Sequence, residues 1–235
     1  MSLLSIVSHA MIQCGFSAPS VVYASSDDLV KQFKAFSLLA GQAEVDFQGW
    51  RGLKVLGTLA GDGTSTEFTL PVDFETFMPG YPVWLDRTPS VPLRRVTDEE
   101  MLAAKVSLAT PLRPVWRLFG DTIEFYPPPE TGETIKLEYR SSYWISDDTG
   151  ATRRGDWASD TDYSIIPERI ITQSTVWRWK HSKGLPYDEE FRNWELMRYK
   201  AASNHAAQTP IRLGRRVLHP GLATGVYGDV PEIVP

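Results

Sequence analysis

Few residues in this chain have types and spacing suited to chemistry, and each also has a plainer reading. Asp160 and Asp162 form an Asp-x-Asp pair, the kind that holds a divalent cation in metal-dependent sugar transferases. Here the pair precedes a predicted helix, no Gly-rich phosphate loop occurs, and two oxygens alone would leave a hard cation mostly hydrated. A loop or capping role is favoured. His9, His181, His205 and His219 never stand four apart and belong to no H-E-x-x-H pattern, so neither a metal site nor a catalytic site is expected. The serines are dispersed without a G-x-S-x-G, and Cys14 has no base that the sequence assigns to it, so it reads as a packed thiol. Trp84, Trp116, Trp144 and Trp157, with Tyr81, Tyr126, Tyr139 and Tyr143, could stack on sugars or bases. Core and subunit interface are the favoured alternative. Arg212, Arg215 and Arg216 form a small basic patch that fits an acidic protein partner better than DNA. No catalytic residue, cofactor or metal site is expected.

The elements that would position these groups fall into a helical, a β and again a helical stretch. Ser2 to Gln13 has Leu3, Ile6, Val7, Ala10 and Met11 on one face, and Gly15 ends it. Ser25 to Asp28 supplies an N-cap cluster for a second helix running to about Phe47. Its predicted stripe is Leu29, Phe33, Phe36, Leu39, Ala40, Ala43 and Phe47, with Gly41 a tolerated weak point costing about 1 kcal/mol relative to Ala. After Trp50 the texture becomes β. Leu53–Leu59 and Glu67–Leu70 flank Gly61-Asp62-Gly63 as a predicted hairpin, and Pro71 and Pro79 confine the next segment to edges and loops. Further predicted strands are Val83–Asp86, Leu93–Val96, Trp116–Phe119, Thr122–Phe125 and Ile135–Tyr143, with a short helix over Asp98–Lys105 and a polar loop over Ser146–Thr161.

Asp160 to Gln208 reads as two antiparallel helices. Pro167 suits the helix start, and Lys180, His181 and Lys183 suit the end, before a Gly184 cap and Pro186. Asp188, Glu189 and Glu190 open the next helix, on which Tyr187, Phe191, Trp194, Arg198 and Ala201 share a face. Beyond it, 209–235 carries Pro210, Pro220, Pro231, Pro235 and several glycines with no period, the composition of an extended arm. Its apolar residues, Leu218, Leu222 and Tyr227 among them, would anchor it on a partner.

The expected architecture is α+β. A small helical bundle formed by N- and C-terminal helices (1–49 and 146–208) carries an inserted, mostly antiparallel β domain (50–145) and ends in the C-terminal arm (209–235). A chain of 235 residues with 42% hydrophobic content can bury a core. Its net charge of −5 argues against general nucleic-acid binding. One cysteine excludes an internal disulfide framework. No apolar run reaches the ~20 residues of a membrane span, and the opening residues lack the basic n-region and cleavage site of a secretory signal.

Several stretches resemble the head-to-tail adaptors, or connector proteins, of tailed bacteriophages. The helical pair is similar to their closing helices at Asp160, Asp162, Trp177, Arg178, Lys180, Lys183, Gly184, Leu185 and Tyr187. Residues 2–20, Trp50-Arg51-Gly52-Leu53, the FTLPVDF run from Phe68 to Phe74, Trp84-Leu85-Asp86-Arg87 and Phe125 to Ile145 fit the same order. The resemblance implies a non-enzymatic virion protein that assembles in the host cytoplasm. Such a protein forms a homo-oligomeric, usually dodecameric ring under the portal, extends the DNA channel, and presents a platform to the next tail component. DNA would pass without specific binding, and no membrane is involved. On this reading Arg212, Arg215 and Arg216 pair with carboxylates of a partner, while Leu218, Leu222 and Tyr227 fill apolar pockets. The alternatives are a tail-side stopper or tail-tube component or, in a different class, a carbohydrate-binding module.

Overall fold

Ser2 starts the first helix: its hydroxyl accepts from the Ser5 N–H, and α1 runs Leu3–Gln13 with the five apolar residues of its stripe buried. The computed structural model describes residues 2–47, 50–80, 82–86, 90–107 and 111–205. Helix α2 (Asp28–Val45) begins where Asp27 accepts from the Leu29 N–H. After β structure and a short helix α3 (Asp98–Val106), α4 (Glu168–Ser182) and α5 (Asp188–His205) complete the helical half. Gly184, at φ +67°, turns the chain between them as the cap spacing requires. Helix α4 lies between α1, α2 and α5, which explains why Ile170, Ile171, Thr172, Ser174, Thr175, Val176 and Trp179 are all buried. Trp179 stacks on Phe33 at 5.3 Å between ring centroids, and Phe16 meets both edge-on.

Among the described residues twelve strands lie between and beside these helices: β1 (Lys54–Ala60), β2 (Glu67–Thr69), β3 (Phe74–Phe77), β4 (Val83–Leu85), β5 (Val91–Pro92), β6 (Arg94–Arg95), β7 (Val115–Phe119), β8 (Thr122–Tyr126), β9 (Thr134–Ser141), β10 (Ile145–Ser146), β11 (Arg153–Arg154) and β12 (Tyr163–Ser164). One sheet is ordered β1-β9-β4-β5, with β3 also on β9, and a second is ordered β2-β8-β7-β6. Their facing sides enclose Val83, Leu85, Leu93, Trp116, Ile123, Phe125, Ile135, Leu137 and Tyr139, a core separate from the helical one. The fold is α+β, with helices from both ends of the chain and the β unit inserted.

Four local expectations are corrected. The Gly61–Gly63 turn does not close a hairpin, because β1 pairs with β9 and β2 with β8. The Gly61 N–H continues the β9 ladder by donating to the Glu133 carbonyl, so the turn carries the chain from one sheet to the other. The strand predicted over Leu93–Val96 is reduced to β6, which pairs parallel with β7, and a separate β5 just before it pairs antiparallel with β4. The loop over Ser146–Thr161 contributes to a small sheet ordered β11-β10-β12, its turn held by the Asp147 carboxylate, which accepts from Thr149 Oγ1 and the Ala151 and Thr152 N–H groups. On α2 the buried face is centred on Val30, Phe33, Ser37, Ala40, Gly41 and Glu44, leaving Leu39 48% exposed.

Gly41 is therefore a packing residue. A Cβ there would land inside the Trp144 indole, which is 1% exposed and meets Trp157 edge-on at 5.1 Å. Trp144 stands three residues beyond the end of β9 yet belongs to the helical core, so this contact joins the two halves. Intrinsic helix propensity would favour Gly41→Ala by about 1 kcal/mol, but overpacking a filled site costs about 1–3 kcal/mol. Gly41→Ala is expected to lower the melting temperature, measured by circular dichroism; a rise would show that the Trp144 contact yields easily.

Candidate assembly interface

The Asp160/Asp162 pair is built into the backbone around α1. Asp160 Oδ1 accepts from the Val22 and Tyr23 N–H groups at 3.1 and 2.7 Å. Asp162 is buried; its Oδ2 accepts from the Ala158 and Ser159 N–H groups, with Arg154 at 3.8 Å. The carbonyls of the same residues accept from the Leu3 and Leu4 N–H groups at the start of α1. Each thus satisfies donors that a helix start or tight loop leaves unpaired. Among the described residues no group of three or more His, Cys, Asp and Glu is placed to hold a metal. Cys14 is half-buried beside the helical core, and burial pushes its thiol up to about 11, the reverse of an activated nucleophile. His9 lies 3.5 Å from Glu168, and His181 packs edge-on against Tyr187. The side chain of His205, and His219 altogether, lie outside the described residues.

The aromatic set divides. Trp116 and Tyr139 lie in the β core and Trp144 and Trp157 in the helical core, so none of these four rings is available to stack on a ligand. Trp84, Tyr126 and Tyr143 are half-buried, and Tyr81 lies outside the described residues. Trp84 is on the outer face of the first sheet, beside Lys54, Leu56, Lys136 and Glu138.

Three polar centres were not singled out by sequence. On the outer face of the second sheet, buried Glu124 binds Lys105 of α3 and, at 2.6 Å, Arg117 of β7, whose Nη1 also reaches Asp98 at 3.1 Å. Burial alone would raise the Glu124 carboxyl, but its hydrogen bonds to the two cations outweigh this and hold it below its ordinary range. In the FTLPVDF run, Asp73 accepts from Tyr139 Oη at 2.8 Å and Ser141 Oγ at 2.6 Å, tying that segment to the end of β9. Third, Glu44 is fully buried between α2 and α5. Its Oε1 accepts from Trp194 Nε1 at 3.2 Å, its Oε2 lies 3.1 Å from Arg198 Nε, and its carbonyl accepts from Trp50 Nε1. Arg198 also lies over the Phe47 ring at 3.7 Å. The traceable signal was Glu44 standing at i+4 from Ala40 on an otherwise apolar face.

Arg212, Arg215, Arg216, Leu218, Leu222 and Tyr227 all fall outside the described residues. Helix α5, the last described element before them, is held to the C-terminal end of α2 by Trp194 and Arg198 on Glu44 and by Arg198 and Tyr199 on Phe47.

No described helix is long and apolar enough to cross a membrane. The family model for the SU10 adaptor protein matches residues 27–218. The chain belongs to that family of phage head-tail adaptors. The match opens at Asp27, the N-cap of α2, and takes in the β unit, the α4–α5 pair and the stretch carrying Arg212, Arg215, Arg216 and Leu218. It leaves out α1, whose apolar face is nonetheless part of the adaptor's helical core. It stops short of Leu222 and Tyr227. No curated protein matches the adaptor sequence.

Burial raises the Glu44 carboxyl above its ordinary range, and the Arg198 charge opposes that rise. Arg198→Met removes the opposing charge and strands a buried carboxylate, at a cost of about 3 kcal/mol. A raised folded-state pKa makes stability fall as pH rises from the unfolded value through the folded one. The variant should therefore lose more stability at pH 8 than at pH 5 in urea denaturation. An equal loss at both would mean that Glu44 is not the coupled group.

Proposed function

We propose that this adaptor is a non-enzymatic structural protein of the virion. It forms a homo-oligomeric, twelvefold ring under the portal, extends the DNA channel and offers a platform to the next tail component. The observation that carries this reading is the family match across 27–218, which takes in both helical and β elements. The composition supports it, since a net charge of −5 gives a channel wall little hold on a passing duplex. The plain structural roles of Asp160, Asp162 and Cys14 support it as well. Assembly takes place in the host cytoplasm, and the ring then remains at the head-tail junction.

The working parts are the bundle from 1–49 and 146–208, the β domain from 50–145 and the arm from 209–235. The arm docks the subunit to its partners: Arg212, Arg215 and Arg216 pair with carboxylates, and Leu218, Leu222 and Tyr227 seat in apolar pockets. Ring contacts of this kind are heterologous and close by rotation, and an arm adds a second tethered contact to each.

Deleting residues 209–235 should abolish co-sedimentation with the isolated portal ring while leaving the melting temperature of the rest unchanged. Undiminished portal binding by the truncated chain would remove the arm from the docking assignment.

A further inference from the structure

Sheet edges are the open valences of this fold, and among the described residues all but one are guarded. Pro92 sits in β5, a bulge between Phe74 and Thr76 interrupts β3, and β2, β6, β11 and β12 are two or three residues long. Strand β1 is different. It has seven residues, about 24 Å of extended chain, with no proline and an unbroken register against β9. Because Gly61 donates to Glu133 in that ladder, the bonded positions alternate through Leu59, Gly57 and Val55. The N–H and C=O groups of Leu56, Thr58 and Ala60 therefore point away from β9, and among the described residues no strand pairs with them. Leu56 is 63% exposed on the outer face, while Val55 and Leu59 lie against the β core.

The surroundings of this edge have polarity. Asp62, Glu130 and Glu133 stand at its Ala60 end, where the Asp62 carboxyl is held well below its ordinary range by hydrogen bonds from Ser65 and Thr64. Lys54, Arg140 and Arg153 stand at the other end. The chain holds a segment of matching character. Ile211-Arg212-Leu213 alternates as a strand with one apolar face, and Arg215 and Arg216 follow directly. This is also the part of the C-terminal segment that the family match takes in. The last turns of α5 pack on Phe47, whose ring meets Trp50, and the neighbouring Asp46 carbonyl accepts from Arg140, the β9 partner of Lys54; residues 206–235 can span at most roughly 100 Å when extended.

We propose that β1 is the receptor for residues 209–218 of a neighbouring copy. That segment adds to the free edge as a parallel strand, with Arg215 and Arg216 at the Asp62–Glu133 end. Main-chain bonds to Leu56, Thr58 and Ala60 supply the adhesion, and Ile211 and Leu213 extend the apolar face begun by Val55 and Leu59. Donor and acceptor are different patches, so the contact is head-to-tail and passes from subunit to subunit around a closed ring. This rests on the ring reading above and names how one subunit grips the next, leaving 219–235 for the portal.

Thr58→Pro removes an outward N–H without touching the β9 ladder, a position where an edge tolerates proline. Together with the isolated portal ring, the full-length variant is expected to stay monomeric in native mass spectrometry with an unchanged melting temperature, where the wild type forms rings. Rings of normal mass from Thr58→Pro would overturn the inference and leave the adaptor reading standing; absence of rings from the wild type would remove the adaptor reading itself. A second measurement does not depend on how well Thr58→Pro folds. In a Cys14→Ser background, chains with Thr58→Cys and chains with Arg215→Cys are mixed with portal and treated with a short bis-maleimide. Dimers linking one variant to the other are expected. Linkage within a single chain carrying both cysteines, or no linkage in rings of confirmed mass, would overturn the inference.

Discussion

The buried carboxylate of Glu44 is the constraint on which the rest of the structure turns. Placed among apolar neighbours on α2, it is tolerated only because Arg198 and the Trp194 indole arrive from α5 to meet it. That requirement sets where α5 lies along α2. The same residue's carbonyl takes the Trp50 indole, so the point where the chain leaves the helices for the β unit is fixed from the same place. Helix α4 then fills the space that α1, α2 and α5 leave, buried on nearly every side.

Two halves with separate cores could move independently. Here they are joined by a side chain that belongs to one half by sequence and to the other by packing. Trp144 follows the long β9 strand and inserts against Gly41, where the absence of a side chain makes room for the indole. The β unit is in turn held together by β9, which pairs with β1 on one side and with β3 and β4 on the other. Its outer polar links, Asp73 to Tyr139 and Glu124 to Lys105 and Arg117, fasten a loop and a short helix to this frame.

Local chemistry was legible in the sequence, and pairing across distance was not. Helix α1 and the α4–Gly184–α5 joint follow from caps, charge and periodicity that act within a few residues. The longer strands of the β unit were placed to within a residue or two; the short β3 and β5 were missed. Their partners were not, because a Gly-Asp-Gly turn says that the chain bends without saying which sheet it enters. Gly41 looked like a weak helix position since its partner, Trp144, lies about a hundred residues away. Glu44 was overlooked because a lone Glu among apolar residues normally marks the solvent side, and only the long-range Arg198 reverses that. Asp160 and Asp162 show the opposite limit: their capping role was the plainer reading, and the backbone donors that they serve bear it out.

The proposed function is that of a ring under the portal, so its central claim concerns stoichiometry. The most direct measurement is the native mass of the purified chain, first alone and then mixed with isolated portal ring. The account predicts a chain that joins the portal as a single added ring of twelve copies. A chain that ignores the portal would contradict it, and so would a sixfold ring, the symmetry of a tail tube.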